Sequence, residues 1–174
     1  MSVVRSPEPE TRALPGMLCQ FLERASIAIG CTRDAKLVPN IHYSSGWQLD
    51  PDQRSIWCFI PEPFTPGLRS SLEENGHFAL TVEHIGPHEC YQFKGVYVSM
   101  RPSTPEDREI VARCRERFAA AVCGLNPLMT PNKELLRQYI LDPAVAVRFA
   151  VREVYLQTPG PGAGRLMTKL ECRP

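Results

Sequence analysis

Residues 151–165, VREVYLQTPGPGAGR, carry the pattern with the clearest chemical consequence. A β-patterned run stops at Gln157 and Thr158, and a cluster of prolines and glycines follows and ends on Arg165. Three glycines in five positions bring main-chain N–H groups close together with little side-chain bulk, and such concavities suit anions such as phosphate. The plainer alternative is a turn that merely reverses the chain.

A second candidate anion site is the sequence TPGLR at residues 65–69. A threonine followed by a proline is typical of a helix start, with Thr65 as the N-cap. A helix N-terminus exposes unpaired N–H groups, so these amides, the Thr65 hydroxyl and the Arg69 guanidinium could bind a phosphate. In the alternative interpretation Thr65 only caps its own helix and Arg69 is solvated.

The histidines and cysteines give a weaker functional signal than these two candidate anion sites. His84, His88 and Cys90 form H-x-x-x-H-x-C in a Gly-Pro loop, but a metal site needs converging ligands and no fourth one is apparent. We therefore predict no metal site. No local signature supports a Cys–His nucleophile, and no residue is assigned a catalytic role.

Composition restricts the function classes. The 174 residues have a net charge of +1 with both signs interleaved, which argues against partners such as nucleic acid or a membrane surface. The seven cysteines include no C-x-x-C pair, which indicates buried thiols in a reducing compartment. No apolar signal core or membrane-spanning run is present, so we expect a cytoplasmic protein. We expect one domain over residues 1–174, with a loose arm at 1–10 and a tail at 157–174.

The apolar spacing predicts helices over residues 14–24, 68–75, 104–124 and 132–140. It predicts strands over 26–32, 37–43, 55–60, 78–82, 91–100 and 144–156, with 47–49 extending the meander. Pro39 places its strand at an edge or a bulge. The order of elements predicts a mainly β (α+β) fold, a six-stranded antiparallel barrel with peripheral helices. Trp57 is predicted to be core, whereas Trp47 is the better candidate for an interface or for stacking on a ring, alongside Phe64.

Four segments in this order resemble the FMN-binding split-barrel superfamily of pyridoxamine 5'-phosphate oxidase relatives. They are SIAIGCTRDAKLVPNIHY, IWCFIPEPFTPGLRSSLEENGHFALTV, YQFKGVYV with its internal Gly95, and the terminal QTPGPGAG, and together they span most of residues 14–166. The resemblance implies a split β-barrel and a homodimer, with FMN in the cleft between the subunits. It also implies redox chemistry with a small-molecule electron donor or acceptor.

The resemblance also implies positions for the cofactor-binding residues. Pro39, Asn40, Ile41 and His42 would line the flavin ring, and Phe59, Ile60 and Pro61 would supply main-chain contacts. Thr65, Arg69 and Ser70 would approach the phosphate, Gln92 and Lys94 would come from the following strand, and Gly160, Gly162 and Gly164 would place amides near the partner's cleft. From the residues alone, a histidine such as His42 is more often a strand residue satisfied by a neighbouring main-chain group. Lys94 equally faces the cofactor or solvent, on the same side as Gln92.

Two departures from the family pattern thin the phosphate site. Relatives often carry an arginine where this chain has Pro39 and Asn40, and an Arg-Lys pair where it has residues 65–68. The resemblance as a whole implies an FMN-binding redox protein of unknown substrate. The alternative is a non-enzymatic, degenerate flavin- or haem-binding split barrel, with His42, His84, His88 and, less favourably, His77 as the candidate ligands for haem iron. A nucleic-acid-binding barrel is disfavoured by the near-neutral charge.

Overall fold

The computed structural model describes residues 12–125 and 132–171. The helices are α1 (Gly16–Arg24), α2 (Thr65–Asn75), α3 (Pro105–Leu125) and α4 (Lys133–Tyr139), and a short 3-10 turn, Glu62–Phe64, leads into α2. The strands are β1 (Ile27–Arg33), β2 (Pro39–Tyr43), β3 (Gly46–Leu49), β4 (Ser55–Ile60), β5 (His77–His84), β6 (Glu89–Pro102), β7 (Val145–Leu156) and β8 (Leu166–Lys169). The predicted arm at residues 1–10 and the last cysteine, Cys172, lie outside the described residues.

All of these strands join one antiparallel sheet in the order β2-β1-β5-β6-β7-β4-β3, with β8 beside the far end of β7. The two edge strands, β2 and β3, are consecutive in the chain and are separated only by Ser44 and Ser45. The sheet must therefore curl until its two edges approach each other. This confirms the antiparallel split barrel, with eight strands instead of six, because the four-residue strands β3 and β8 are too short to show an alternating pattern.

The interior is filled from alternate strand positions and closed by two helices. Phe78, Leu80 and Val82 of β5 are buried, as are alternate residues of β7, while α1 and α2 contribute Leu18, Phe21, Leu22, Leu68 and Leu72 to the same core. Gly76, at φ 68°, ends α2 in the left-handed conformation, as its sequence predicts.

The more apolar face of β1 points away from the core. Ile27, Ile29 and Cys31 lie together on one side, whereas Ala28 and Thr32 on the opposite side are buried. Ile29 is 40% exposed. The small inward residues leave space for Phe78, whose ring lies 3.1 Å from the position that a Cβ on Gly30 would take.

Gly95 marks a bulge in the long pairing of β6 with β7. The register shifts between Lys94 and Gly95, and a Cβ at Gly95 would overlap the carbonyl oxygen of Ala150. The internal glycine of the YQFKGVYV segment is therefore required by the close approach of the two strands.

All six cysteines among the described residues are free thiols. Within the same residues, no helix is both long enough and apolar enough to cross a membrane.

Candidate functional site

Two rows of side chains cross five strands on the convex side of the sheet, and we call them the outer face. Cross-strand pairing places Tyr43, Ile29, Thr81, Gln92 and Tyr155 in one row, and Ile41, Cys31, Ala79, Lys94 and Glu153 in the next. Ile41 is 62% exposed and Tyr43 57% exposed. The outer face is thus apolar over β1 and β2 and polar over β6 and β7. Gln92 and Lys94 share this face, as predicted.

A cavity of about 430 Å³ opens at the end of the outer face, beside the turn that joins β1 to β2. We call it the hairpin cavity. Its apolar wall includes Cys31, Leu37, Pro39 and Ala79, and its basic side chains are Arg33, His77 and Lys94. The Lys94 ammonium lies 4.5 Å from the centre of the Tyr155 ring.

The start of α2 differs from the sequence expectation. Phe64, not Thr65, occupies the N-cap position, and no side chain caps the helix. Because the 3-10 turn runs directly into α2, the Thr65 hydroxyl donates to the carbonyl of Pro61 at 3.3 Å. Arg69 and Ser70 are exposed on the first turns of the helix.

Asn40 lies against this helix start. Its side-chain nitrogen is 2.6 Å from the position that a Cβ on Gly67 would take. Asn40 and the first turn of α2 are therefore brought together, as the resemblance implies, but Arg69 is the one basic residue within Thr65–Asn75.

His42 points into the barrel and not toward the outer face. It is 1% exposed, and its Nε2 lies 2.8 Å from the hydroxyl of the buried Thr32. Burial lowers the pKa of His42 to about 4, with the main chain of Phe64 acting in the opposite direction. A neutral imidazole inside the barrel does not line a ring bound on the outer face, so the geometry favours the structural interpretation of this residue.

The segment from Phe59 to Pro61 also uses its main chain internally. The carbonyl of Phe59 accepts from the Ser45 amide at 2.8 Å, and that of Ile60 accepts from the Ala144 amide at 2.9 Å. The carbonyl of Pro61 accepts from the Phe64 amide at 3.2 Å. These carbonyls therefore already have partners within the fold.

The glycine-rich segment is a turn between β7 and β8. The amides of Ala163, Gly164 and Arg165 donate to main-chain carbonyls at 2.7 to 3.1 Å, and the amides of Gln157 and Thr158 both donate to the Cys90 carbonyl. These five amides are thus not available to an anion. The plainer interpretation of the segment, a chain reversal, is the one that the structure supports.

Trp47, and not Trp57, is the fully buried tryptophan. Trp47 is 4% exposed and its indole N–H donates to the Leu22 carbonyl at 3.0 Å, so it is a core residue. Trp57 is half-buried beneath the Arg101 guanidinium, 4.6 Å from the ring centre. Phe64 packs on Tyr43, with ring centres 5.5 Å apart, beside a second cavity of about 370 Å³.

The remaining histidines do not converge. The Nδ1 of His84 lies 3.3 Å from the Ser26 hydroxyl, and the Nδ1 of His88 lies 3.0 Å from the Glu83 carboxylate. Among residues 12–125 and 132–171 the structure contains no group of three side chains that could hold a metal ion.

The predicted site residues therefore fall into three places. Ile41, Gln92 and Lys94 lie on the outer face with Pro39 at its end, Asn40 lies with Thr65, Arg69 and Ser70 at the start of α2, and His42, Phe59, Ile60 and Pro61 are buried. Sequence reasoning missed Arg33, and it named His77 only as a weak candidate ligand for haem iron. The available signal was the spacing of Cys31 and Arg33, which gives both the same outward direction on β1.

No protein-family model matches the sequence, and no curated protein is significantly similar to it. Solved structures do match. HupZ of Group A Streptococcus is 15% identical with a TM-score of 0.51, over 87% of this chain and 99% of its own. An F420 reductase is 13% identical with a TM-score of 0.51, over 81% of this chain and 98% of its own. An FMN-binding protein from Syntrophomonas wolfei is 12% identical with a TM-score of 0.47, over 80% and 88%.

At these identities the likeness concerns the fold alone. It confirms the split-barrel fold, which this chain shares with HupZ and with the F420 reductase.

Proposed function

We propose that this protein binds FMN and acts as a redox protein, in a homodimer whose two copies enclose the flavin. The observation that carries the proposal is the outer face, where exposed apolar side chains on β1 and β2 adjoin hydrogen-bonding and cationic side chains on β6. A flavin nucleotide likewise has an apolar part and a charged part, because its flat ring system is joined to an anionic tail.

The outer face supports binding of such a ring in chemical terms. Ile29, Ile41 and Cys31 offer a flat apolar surface, and the Gln92 side chain lies at the border of that surface. The Gln92 amide nitrogen donates to the Thr81 hydroxyl at 3.2 Å, which leaves its carbonyl oxygen to accept from a ring N–H. The flavin itself would carry the hydride or electron transfer, and the protein would bind and orient it.

The homodimer is supported by the same surface. Tyr43, Ile41 and Ile29, together with Leu37 at 67% and Val38 at 57% exposure in the adjoining turn, form a contiguous apolar area. Such areas are typical of interaction sites. A second copy placed over this area would exclude water from a bound ring. Similarity of the fold to that of an F420 reductase is consistent with a redox role. A cytoplasmic location remains part of this proposal.

A titration tests whether the protein binds FMN. Purified protein is titrated with FMN, and the flavin absorbance bands and fluorescence are followed. We expect a saturable change with about one flavin per chain, because each chain presents one outer face. A colourless protein that leaves both the absorbance and the fluorescence of added FMN unchanged would contradict the proposal.

The Ile41→Glu variant tests the dimer. Ile41 and Leu135 have the same exposure, 62%, but Ile41 lies on the outer face and Leu135 on α4, so Leu135→Glu is a matched control. We expect I41E to convert the dimer to monomer in sedimentation velocity and to weaken FMN binding, while L135E does neither. Equal masses for wild type and both variants would argue against the outer face as the interface.

A further inference from the structure

The charges around the hairpin cavity are unbalanced. Arg33, His77 and Lys94 line it, and within the described ranges no carboxylate does. Nor does any of these three side chains form an ion pair with a residue that the structure describes. Three basic groups beside one apolar wall favour an anionic ligand with an apolar part.

The acidic residues nearest to the cavity have other partners. The Asp34 carboxylate accepts from two amides of its own turn at 2.8 and 2.9 Å, and the Glu74 carboxylate accepts from a third amide of that turn at 2.7 Å. The Glu153 carboxylate accepts from the Tyr155 hydroxyl at 2.8 Å. These hydrogen bonds hold the Asp34 and Glu74 carboxylates on the main chain of the hairpin and the Glu153 carboxylate on Tyr155.

The start of α2 lacks a comparable set of basic groups. Leu68 is fully buried, Gly67 has no side chain and is covered by Asn40, and the Thr65 hydroxyl donates to the main chain. A dianionic phosphate there would meet one cation, Arg69, against the two cations Arg33 and Lys94 and the His77 imidazole at the hairpin cavity.

We propose that the hairpin cavity is the phosphate subsite of this protein, in which Arg33, His77 and Lys94 bind the phosphate of the flavin nucleotide. The proposal rests on the FMN-binding function above and changes the place of the anion from the start of α2 to the end of β1. Lys94 occupies the same cross-strand row as Ile41 and Cys31. From β2 to β6 that row spans three strand spacings, about 14 Å, a length suited to one extended ligand.

The test compares FMN with riboflavin, which has the same ring and sugar chain but no phosphate. The variants are Arg33→Gln and Lys94→Gln, and the matched control is Arg69→Gln, an exposed arginine at the rival position. Affinities are measured by flavin fluorescence for the full chain, and thermal unfolding checks that each variant is folded.

We expect R33Q and K94Q each to weaken FMN binding about tenfold, as the loss of one charge-assisted hydrogen bond implies. Riboflavin binding should be unchanged, and R69Q should leave both affinities at the wild-type values. Loss of FMN affinity in R69Q alone would place the phosphate at α2 and overturn the inference, while FMN binding itself would stand. Equal weakening of FMN and riboflavin in R33Q and K94Q would also overturn it, since the contact would then be to the ring. A wild-type protein that binds neither flavin would overturn both proposals.

Discussion

The buried imidazole of His42 makes the stability of the barrel depend on pH. Its pKa falls from 6.5 to about 4 in the folded protein, chiefly because burial disfavours the charged ring. The unfolded chain therefore binds this proton more tightly than the folded chain between those two values. Stability contributed by the neutral ring is present above pH 6.5 and is lost as the pH falls toward 4.

The size of the effect follows from the two pKa values. At roughly 1.4 kcal/mol per unit, the full shift corresponds to about 3 kcal/mol, reached when both states are protonated. Between pH 7 and pH 5 the expected loss is about 2 kcal/mol. With a urea dependence of about 2 kcal/mol per molar for a chain of this size, the unfolding midpoint should fall by about 1 M over that interval.

Urea unfolding of wild type and His42→Gln at pH 7 and pH 5 measures the contribution of His42 to the pH dependence of stability. The glutamine amide can keep a hydrogen bond to Thr32 but does not titrate, so the variant should lose most of the midpoint shift whatever its stability at pH 7. Carboxylates titrate in both proteins, so the difference between them isolates the imidazole. Identical shifts in wild type and H42Q would refute this reasoning.

Two further substitutions test the framework that supports the outer face. Gly95→Ala should reduce the free energy of unfolding by about 3 kcal/mol, because the added methyl group forces β6 and β7 apart. Gly124→Ala in α3, where an added Cβ would have no atom within 4 Å, should raise it by about 0.5 kcal/mol. Chemical denaturation measures both free energies, and similar unfolding midpoints for the two variants would contradict the prediction. Asp107→Asn should lower the free energy of unfolding by about 2 kcal/mol in the same assay, since the buried carboxylate accepts hydrogen bonds from Arg101 and from the Thr104 amide. An unchanged unfolding midpoint would show that water replaces these hydrogen bonds.

The elements that were predictable are those whose local signals agree with their surroundings. The Thr65-Pro66 start located α2 within a few residues, and the strand predicted over 144–156 is observed as Val145–Leu156. Pro39 correctly placed β2 at the edge of the sheet. In each case one residue type imposes a backbone or burial constraint that does not depend on distant contacts.

The predictions that were wrong depended on tertiary partners. Alternation shows which residues of β1 share a face, but not which face is inward. Trp47 can be buried because the Leu22 carbonyl accepts its indole N–H, and the Thr65 hydroxyl is taken up by Pro61. In the glycine-rich turn the amides of Ala163, Gly164 and Arg165 donate to main-chain carbonyls. None of these partners is marked in the local sequence.

The orientation of β1 is also what creates the candidate site. Gly30 faces inward because the Phe78 ring occupies the space that a larger residue would need, and this fixes Ile29 and Cys31 on the outer side. Arg33 follows in the same phase and reaches the hairpin cavity. A shift of one residue in β1 would move the apolar surface into the barrel and turn Arg33 inward. The packing of one phenylalanine against one glycine thus places an apolar surface and a cation on the same side of one strand, which is the combination that an amphipathic, anionic ligand requires.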